Sequence, residues 1–309
     1  MTLAGLRCAV LGAGGFIGTN LCLGLQQSGA HVTGIGRRPH DGPAALSDLR
    51  WVEAEFADAQ AVAAAVEGQD LVFHLLGGSI PVQSNDDPVG DVEASLIPSL
   101  RLIEACQAAG IGRFVFVSSG GTVYGPAASI ALSESAATNP ITAYGINKLA
   151  VEKYLGLFRH LHAFDAVVLR LANPYGPHQH RRRPQGVIGT ALARALAGEP
   201  IEIWGDGSVV RDYVYIDDVV AALVAAGTYR GRHWVFNIGS GQGRSVRQVV
   251  ADICVLTSTP PSRVIYHPSR PADVPYNVLD CALAQRELKW RPDTSWIDGL
   301  KRTADWLGG

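Results

Sequence analysis

The sequence predicts an α/β protein of the Rossmann type: a doubly wound parallel sheet with a smaller C-terminal α/β region for substrate. Three observations predict it. Short apolar runs alternate with segments of helical periodicity through most of the first half, as a parallel sheet covered on both faces requires. The first apolar run leads through a cluster of glycines straight into a helix. After about Asn173 the rhythm changes, prolines, glycines and aromatics become frequent, and the elements shorten.

Taken in order, residues 7–11 form a short apolar run ended by glycines, and residues 16–27 repeat apolar side chains at helical spacing until Gly29 closes them. Residues 31–35 read as a second strand, 59–67 as a helix of good formers, and 70–76 as a buried strand interrupted only by His74. A helix over 96–109 stops at Gly110, a strand follows at 113–118, then a long helix over 142–158 and a strand at 167–171. In the second half, 187–197, 216–226, 246–256 and 296–307 read as helices, and 201–204 and 235–238 as strands. The expected division is a dinucleotide-binding domain over 1–172 and a mainly substrate-binding region over 173–309, with some elements of the latter returning to the former.

Composition narrows the function. With 309 residues, 47% apolar, the chain buries a real core, and a formal net charge of −2 offers nothing to draw in nucleic acid. Cys8, Cys22, Cys106, Cys254 and Cys281 are odd in number and scattered, which fits buried thiols in a reducing compartment rather than disulfides or a zinc site. No apolar run is long enough to span a membrane, and the start of the chain lacks a basic stretch followed by a cleavable apolar one, so a cytoplasmic location is expected.

Gly12, Gly15 and Gly18 carry the spacing G-x-x-G-x-x-G between strand and helix. The first glycine permits the tight turn, the second removes a Cβ where a pyrophosphate must approach, and the third lets the helix pack on the strand. The helix N-terminus then offers free N–H groups and a partial positive charge to phosphates. The end of the second strand, Gly34-Ile35-Gly36-Arg37-Arg38, has no carboxylate for a ribose 2′-hydroxyl but two guanidiniums suited to a 2′-phosphate. The cofactor is therefore NADP or NAD, with Arg37 and Arg38 favouring NADP.

Tyr144 and Lys148 stand four apart at the start of a helix and share a face. A nearby ammonium and an oxidised nicotinamide both favour a phenolate, so Tyr144 can take a proton from a sugar hydroxyl while hydride leaves the same carbon. Lys148 would also hold the nicotinamide ribose.

The glycine turn, Tyr144–Lys148 and Val117-Ser118-Ser119-Gly120-Gly121-Thr122-Val123-Tyr124-Gly125 resemble the extended short-chain dehydrogenases of the UDP-glucose 4-epimerase type. The resemblance continues in Leu169–Gly176, Gly205-Asp206-Gly207, Val210-Arg211-Asp212-Tyr213 and Arg270–Val274, so it covers nearly the whole chain. It implies a nucleotide-sugar substrate, a homodimer, and cofactor contacts at Phe16, Ile17, Glu55, Phe56, Leu75, Gly77 and Ser118 beside those already named. The family's catalytic Ser or Thr aligns with Gly120. Thr122 and Ser119 are the hydroxyls that could replace it, Thr122 being favoured. Gly121 and Thr122 stand where dehydratase members carry Asp-Glu, which argues against elimination of water. Ser95 replaces a family asparagine, and Asn277 aligns with a sugar-pocket tyrosine.

For the substrate, the resemblance implies that Arg211, Arg270 and Asn173 contact the diphosphate and that Trp204 lies near the base. The rival reading makes Arg211-Asp212 and Arg270–Asp273 structural ion pairs. The basic stretch His178–Arg183 lacks the ligands to complete a metal site and reads as a solvated loop, so no metal is expected. His74 reads as a satisfied core histidine, and Trp290, Trp296 and Trp306 as core. The leading function is a nucleotide-diphosphate-sugar 4-epimerase. The alternatives are an NADP-dependent 4-keto nucleotide-sugar reductase and a non-catalytic dinucleotide sensor.

Overall fold

The computed structural model describes residues 3–39, 43–46, 49–77, 81–126, 130–179, 186–269 and 274–309. The chain begins with β1 (Arg7–Leu11), α1 (Phe16–Gln27), β2 (His31–Ile35), β3 (Arg50–Val52), α2 (Ala59–Val66) and β4 (Leu71–His74). Two short helices, α3 (Pro81–Asp86) and α4 (Pro88–Asp91), lead through a π-helical turn (Val92–Leu96) into α5 (Ile97–Ala108). β5 (Arg113–Ser119), α6 (Ala143–His162), β6 (Ala166–Leu171) and β7 (Asn173–Tyr175) follow, then α7 (Val187–Leu196), β8 (Ile201–Trp204) and β9 (Val210–Tyr215). The chain ends with α8 (Ile216–Thr228), β10 (Val235–Ile238), β11 (Gly243–Ser245), α9 (Val246–Thr257), β12 (Val264–His267), β13 (Tyr276–Asn277), α10 (Ala282–Glu287) and α11 (Trp296–Gly308).

Seven strands make one parallel sheet in the order β10-β6-β5-β4-β1-β2-β3. Its residues alternate between two cores, as the period-two pleat requires. Cys8, Val10, Phe73, Val115 and Val167 face Leu21, Leu25 and Leu223 of α1 and α8. Ala9, Leu11, Val72, Phe114 and Val168 face Val62, Leu102, Ile103, Val151 and Leu155 of α2, α5 and α6. Both faces are dry, which is why these strands read as continuous apolar runs. β10 belongs to the second half of the sequence yet pairs with β6, so that half contributes an edge strand to the large sheet. A smaller sheet of β11, β9, β13 and β7 and a parallel pair of β8 with β12 lie beyond it.

Several elements differ from the sequence expectation. α6 runs a full turn past residue 158, because Arg159, His160 and His162 suit the negative end of its dipole, and Ala163 in the left-handed region (φ 51°) ends it. β9 has no counterpart in the hydrophobic pattern, since Arg211 and Asp212 interrupt it, although Asp212 is fully buried. The helix expected from residue 96 begins at Ile97, and a π turn over 92–96, which the sequence did not suggest, leads into it. Among the described residues no helix is long and apolar enough to cross a membrane, and all five cysteines are free and buried.

Candidate active site

The glycine turn sits at the mouth of the sheet between β1 and α1. Gly12 has φ +85°, a left-handed conformation that side chains rarely adopt, and its N–H donates to Ile35 O at 3.0 Å. A Cβ on Gly18 would collide with the Gly12 carbonyl, and one on Gly14 with the carbonyl of Arg37. Gly14 lies outside the expected triplet. Its need for glycine arises from the segment after β2, which no local motif reveals. Gly15 caps α1 with no side-chain acceptor, and the first turn, including half-buried Phe16 and Ile17, carries no acid. Its N–H groups and positive end are thus presented to an anion. These residues fit the pyrophosphate of a nicotinamide dinucleotide.

Arg37 and Arg38 are exposed at the end of β2, and among the described residues neither forms an ion pair. The Arg38 guanidinium lies 5.7 Å from the Trp51 ring, whose Nε1 donates to Gly36 O at 2.8 Å. Glu55 is exposed, and Phe56 stands 5.3 Å from the His74 ring. Leu75 is half-buried and Gly77 exposed past the end of β4, so these residues lie just beyond the ends of β1, β2, β3 and β4.

Tyr144 and Lys148 project from the first turns of α6. Thr142 caps this helix by accepting from Gly145 N at 3.1 Å, and α3 adds two further caps: Ser84 Oγ accepts from Tyr144 N (3.1 Å) and Asn85 Oδ1 from Ala143 N (2.9 Å). The Lys148 ammonium donates to Leu76 O at 3.0 Å and Val117 O at 2.9 Å and lies 4.8 Å from the Phe116 ring. Burial lowers its pKa to about 8, against the opposing charges of Glu152 and Asp91. Burial, helped by Asp91, pushes the Tyr144 phenol up to about 12, because the ammonium is engaged with backbone carbonyls and lies 5.8 Å from the ring. A cavity lined by Gly77, Ser95, Ser99, Tyr144, Asn147 and Lys148 opens beside the pair. A Cβ on Gly77 would come within 3.3 Å of Tyr144 and 3.5 Å of Lys148 Nζ.

His74 is only half satisfied. Ser99 Oγ donates to Ser95 O (2.6 Å), so His74 Nε2 is the donor in its 2.9 Å contact with Ser99. Nδ1 has no partner among the described residues, and burial keeps the ring neutral.

Gly120 shows why the family hydroxyl is absent there. The residue is buried, and a Cβ would press on Leu279 Cδ1 at 2.6 Å and Arg170 O at 3.1 Å. Of the neighbours, Thr122 Oγ1 is buried without a hydrogen-bond partner among the described residues, and its Cβ is 3.1 Å from where a Cβ on Gly145 would stand. Ser119 is half-buried on the same loop. The Ser118 hydroxyl is turned inward, away from its expected cofactor role, and donates to Glu152 Oε1 at 2.5 Å. Glu152 is itself paired with Arg170 at 2.7 Å, both nearly inaccessible. This pair escaped the sequence reading. Its signal is the repeat Tyr144, Lys148, Glu152 at intervals of four, with an arginine inside an apolar strand.

On the substrate side, Asn173 Nδ2 donates to Asp212 O at 3.0 Å, which brings β7 and β9 together. Arg211 donates to Val210 O (2.9 Å) and Val274 O (2.6 Å). Asp212 makes no ion pair with it. That carboxylate is buried and accepts from Ser240 N, Ser240 Oγ, Gly241 N and Leu279 N, so it ties the 239–241 loop to the segment carrying Asn277. Asn277 pairs with Arg211 across β13 and β9, and its Nδ2 donates to Gly120 O at 3.0 Å. Trp204 is 40% exposed and stacks on His267 at 5.2 Å. Trp290 is core, donating to Asp218 O at 2.8 Å, whereas Trp296 and Trp306 are only half-buried. Arg270–Asp273 and His180–Arg183 lie outside the described residues.

A Rossmann sheet with a glycine turn that presents helix N–H groups, and with half-buried Tyr144 and buried Lys148 beside it, defines an enzyme that uses a nicotinamide dinucleotide. Comparison with known proteins identifies its class further. Residues 8–239 match the NAD dependent epimerase/dehydratase family, and the chain belongs to that family. It is 35% identical to a UDP-glucose 4-epimerase of Mycolicibacterium smegmatis over 98% of both chains. Its fold superposes on the crystal structure of a Thermotoga maritima UDP-glucose 4-epimerase with UDP-glucose, with TM-score 0.92, 33% identity and 98% of both chains covered. It also superposes on the Thermus thermophilus UDP-glucose 4-epimerase in complex with NAD, with TM-score 0.90, 30% identity and 98% and 99% of the two chains covered.

Proposed function

We propose that the protein is a nucleotide-diphosphate-sugar 4-epimerase acting on UDP-glucose and UDP-galactose with a retained nicotinamide dinucleotide. The observation that carries this reading is the Tyr144–Lys148 pair on α6 at the edge of a cavity, the phenol half-buried and the ammonium buried and fixed by two carbonyls. The named relatives and the bound UDP-glucose of the Thermotoga maritima enzyme support the choice of sugar nucleotide.

Gly12, Gly15, Gly18 and the first turn of α1 would hold the dinucleotide, which supplies a reversible hydride acceptor at the sugar C4. Tyr144 takes the proton of the 4-hydroxyl and gives it back after the sugar has turned, so no cofactor is consumed. Lys148 keeps a positive charge beneath the site, and Thr122 offers its hydroxyl to the reacting oxygen in place of the family serine. Ser119 is the other hydroxyl of that loop. Arg211, Arg270 and Asn173 bind the diphosphate, and Trp204 meets the base. Arg37 and Arg38 suit a 2′-phosphate, so NADP or NAD fills the cofactor site, and the dinucleotide released on denaturation identifies which. The same reading places the enzyme in the cytoplasm as a homodimer, with exposed Ile97, Tyr154, Leu157 and Leu161 of α5 and α6 as its contact face.

The test is interconversion. Purified protein given UDP-glucose should form UDP-galactose without consuming added dinucleotide, and Tyr144→Phe should abolish this. Stoichiometric oxidation of NADPH with a 4-keto sugar nucleotide, and no interconversion, would replace this reading with that of a reductase.

A further inference from the structure

The cavity beside Tyr144 and Lys148 is lined in part by Ser95 of the π turn, and the short helix α4 that leads into that turn is used by no step above. α4 ends on Asp91, a carboxylate only 5% exposed. Asp91 Oδ2 accepts from Asn147 Nδ2 at 2.8 Å. Asn147 lies on α6 three residues after Tyr144 and next to Lys148, and all three side chains line the one cavity. The carboxylate therefore stands behind the wall of the site, joined to it through the residue that lies between Tyr144 and Lys148 in the chain. Burying a carboxylate costs free energy even when it is hydrogen-bonded.

We propose that Asp91 is a positioning residue that sets the protonation of the Tyr144–Lys148 pair: its carboxylate, anchored by Asn147, keeps the phenol as O–H and the amine as ammonium. The charged and titratable groups around the pair agree with this. Tyr144 faces Asp91 from α4 and Lys148 from its own helix. Lys148 faces Asp91, Glu152 one turn further along α6, and neutral His74 from β4. The other acids near α4, namely Asp86, Asp87 and Glu93, are exposed. Asp91 therefore acts on the two groups in a single sense, favouring the protonated form of each. A phenol held this way gives up its proton only when positive charge enters the site. The assignment rests on the epimerase reading for which sugar proton moves, but not for the effect of Asp91 on the phenol.

Two measurements on the enzyme as purified test it: the phenolate absorbance of Tyr144, taken as the difference between the protein and its Tyr144→Phe variant, and the acid limb of kcat/KM with UDP-glucose. Asp91→Asn keeps an acceptor for Asn147 and removes the charge. Both midpoints should fall by about one pH unit, whereas Asp91→Glu, which keeps the charge, should leave them near the original values. If Asp91→Asn does not fold, Asp91→Ser makes the same comparison. Unchanged midpoints in the neutral variant, or equal shifts in the neutral and Glu variants, overturn the proposal. Failure of the epimerase reading would show as no turnover of UDP-glucose while the absorbance midpoint still moves.

Discussion

The side-chain amide of Asn277 donates to the carbonyl of Gly120 at 3.0 Å, fastening a strand of the smaller sheet to the loop that carries Ser119 and Thr122. Three residues of that loop then have distinct duties. Gly120 leaves room for Leu279, Ser119 stands half-buried, and Thr122 faces Gly145 with its Oγ1 unpartnered among the described residues. Asn277, which aligns with a sugar-pocket tyrosine of the family, has its amide turned to the loop backbone instead.

Thr122→Val, a near-isosteric change that deletes the hydroxyl, should lower kcat by about 10²-fold with little change in KM, because the lost hydrogen bond matters most as charge develops on the sugar oxygen. Ser119→Ala should cost much less. Steady-state kinetics with UDP-galactose checks both, and the reverse ranking would make Ser119 the working hydroxyl.

Restoring the family serine at Gly120 should not help. Its Cβ meets Leu279 Cδ1 at 2.6 Å and the Arg170 carbonyl at 3.1 Å, and only the leucine can yield. Gly120→Ser should destabilise the fold by about 1–3 kcal/mol in urea unfolding and leave kcat no higher than in the natural sequence.

Glu152 and Arg170 form a buried pair at 2.7 Å that also receives the Ser118 hydroxyl. Arg170 continues to Tyr124 OH (3.0 Å), which donates to Asn237 Oδ1 (2.6 Å) on β10. Glu152→Gln leaves a guanidinium buried beside a neutral amide, so unfolding experiments should show a loss of about 3–5 kcal/mol. A loss below one kcal/mol would mean that water or a rearranged acid reaches Arg170.

What was legible in the sequence follows from locality. The glycine turn, the apolar runs of the large sheet and the Tyr144–Lys148 spacing are each written within a few consecutive residues, and the fold places them together. The groups that were not legible depend on distant chain. Gly14 needs glycine because the Arg37 carbonyl lies over it. Asp91 reaches Asn147 from 56 residues away, and Asp212 is a buried loop anchor in a strand whose polarity hid it. The direction of the Lys148 side chain is another such feature. Sequence spacing puts an ammonium near Tyr144, but only the fold shows that it points at Leu76 O and Val117 O.

Lys148 also sets a pH dependence of stability that can be isolated. Burial lowers its pKa in the folded protein to about 8, from 10.5 in an open chain. Between those values the unfolded chain holds more protons than the native one, so the Lys148 contribution to stability rises with pH across that window. Below pH 8 both states are protonated and the full cost of a buried ammonium is present. Above 10.5 both are neutral and the cost is gone. Lys148→Met removes this titration, and it also leaves Leu76 O and Val117 O without their donor at every pH. The absolute stability of the variant therefore mixes two effects, but the pH dependence of the difference does not. Urea unfolding of natural protein and variant at pH 7 and pH 10 should show the natural protein gaining on the variant by about 2–3 kcal/mol. Tyr144 works in the opposite sense above pH 10, since its raised pKa makes the native state hold the extra proton, but it is present in both proteins and cancels to first order. A difference that stays flat between the two pH values would mean that the native ammonium is solvated and that the seal formed by Leu76, Phe116 and Val117 around it is open in solution.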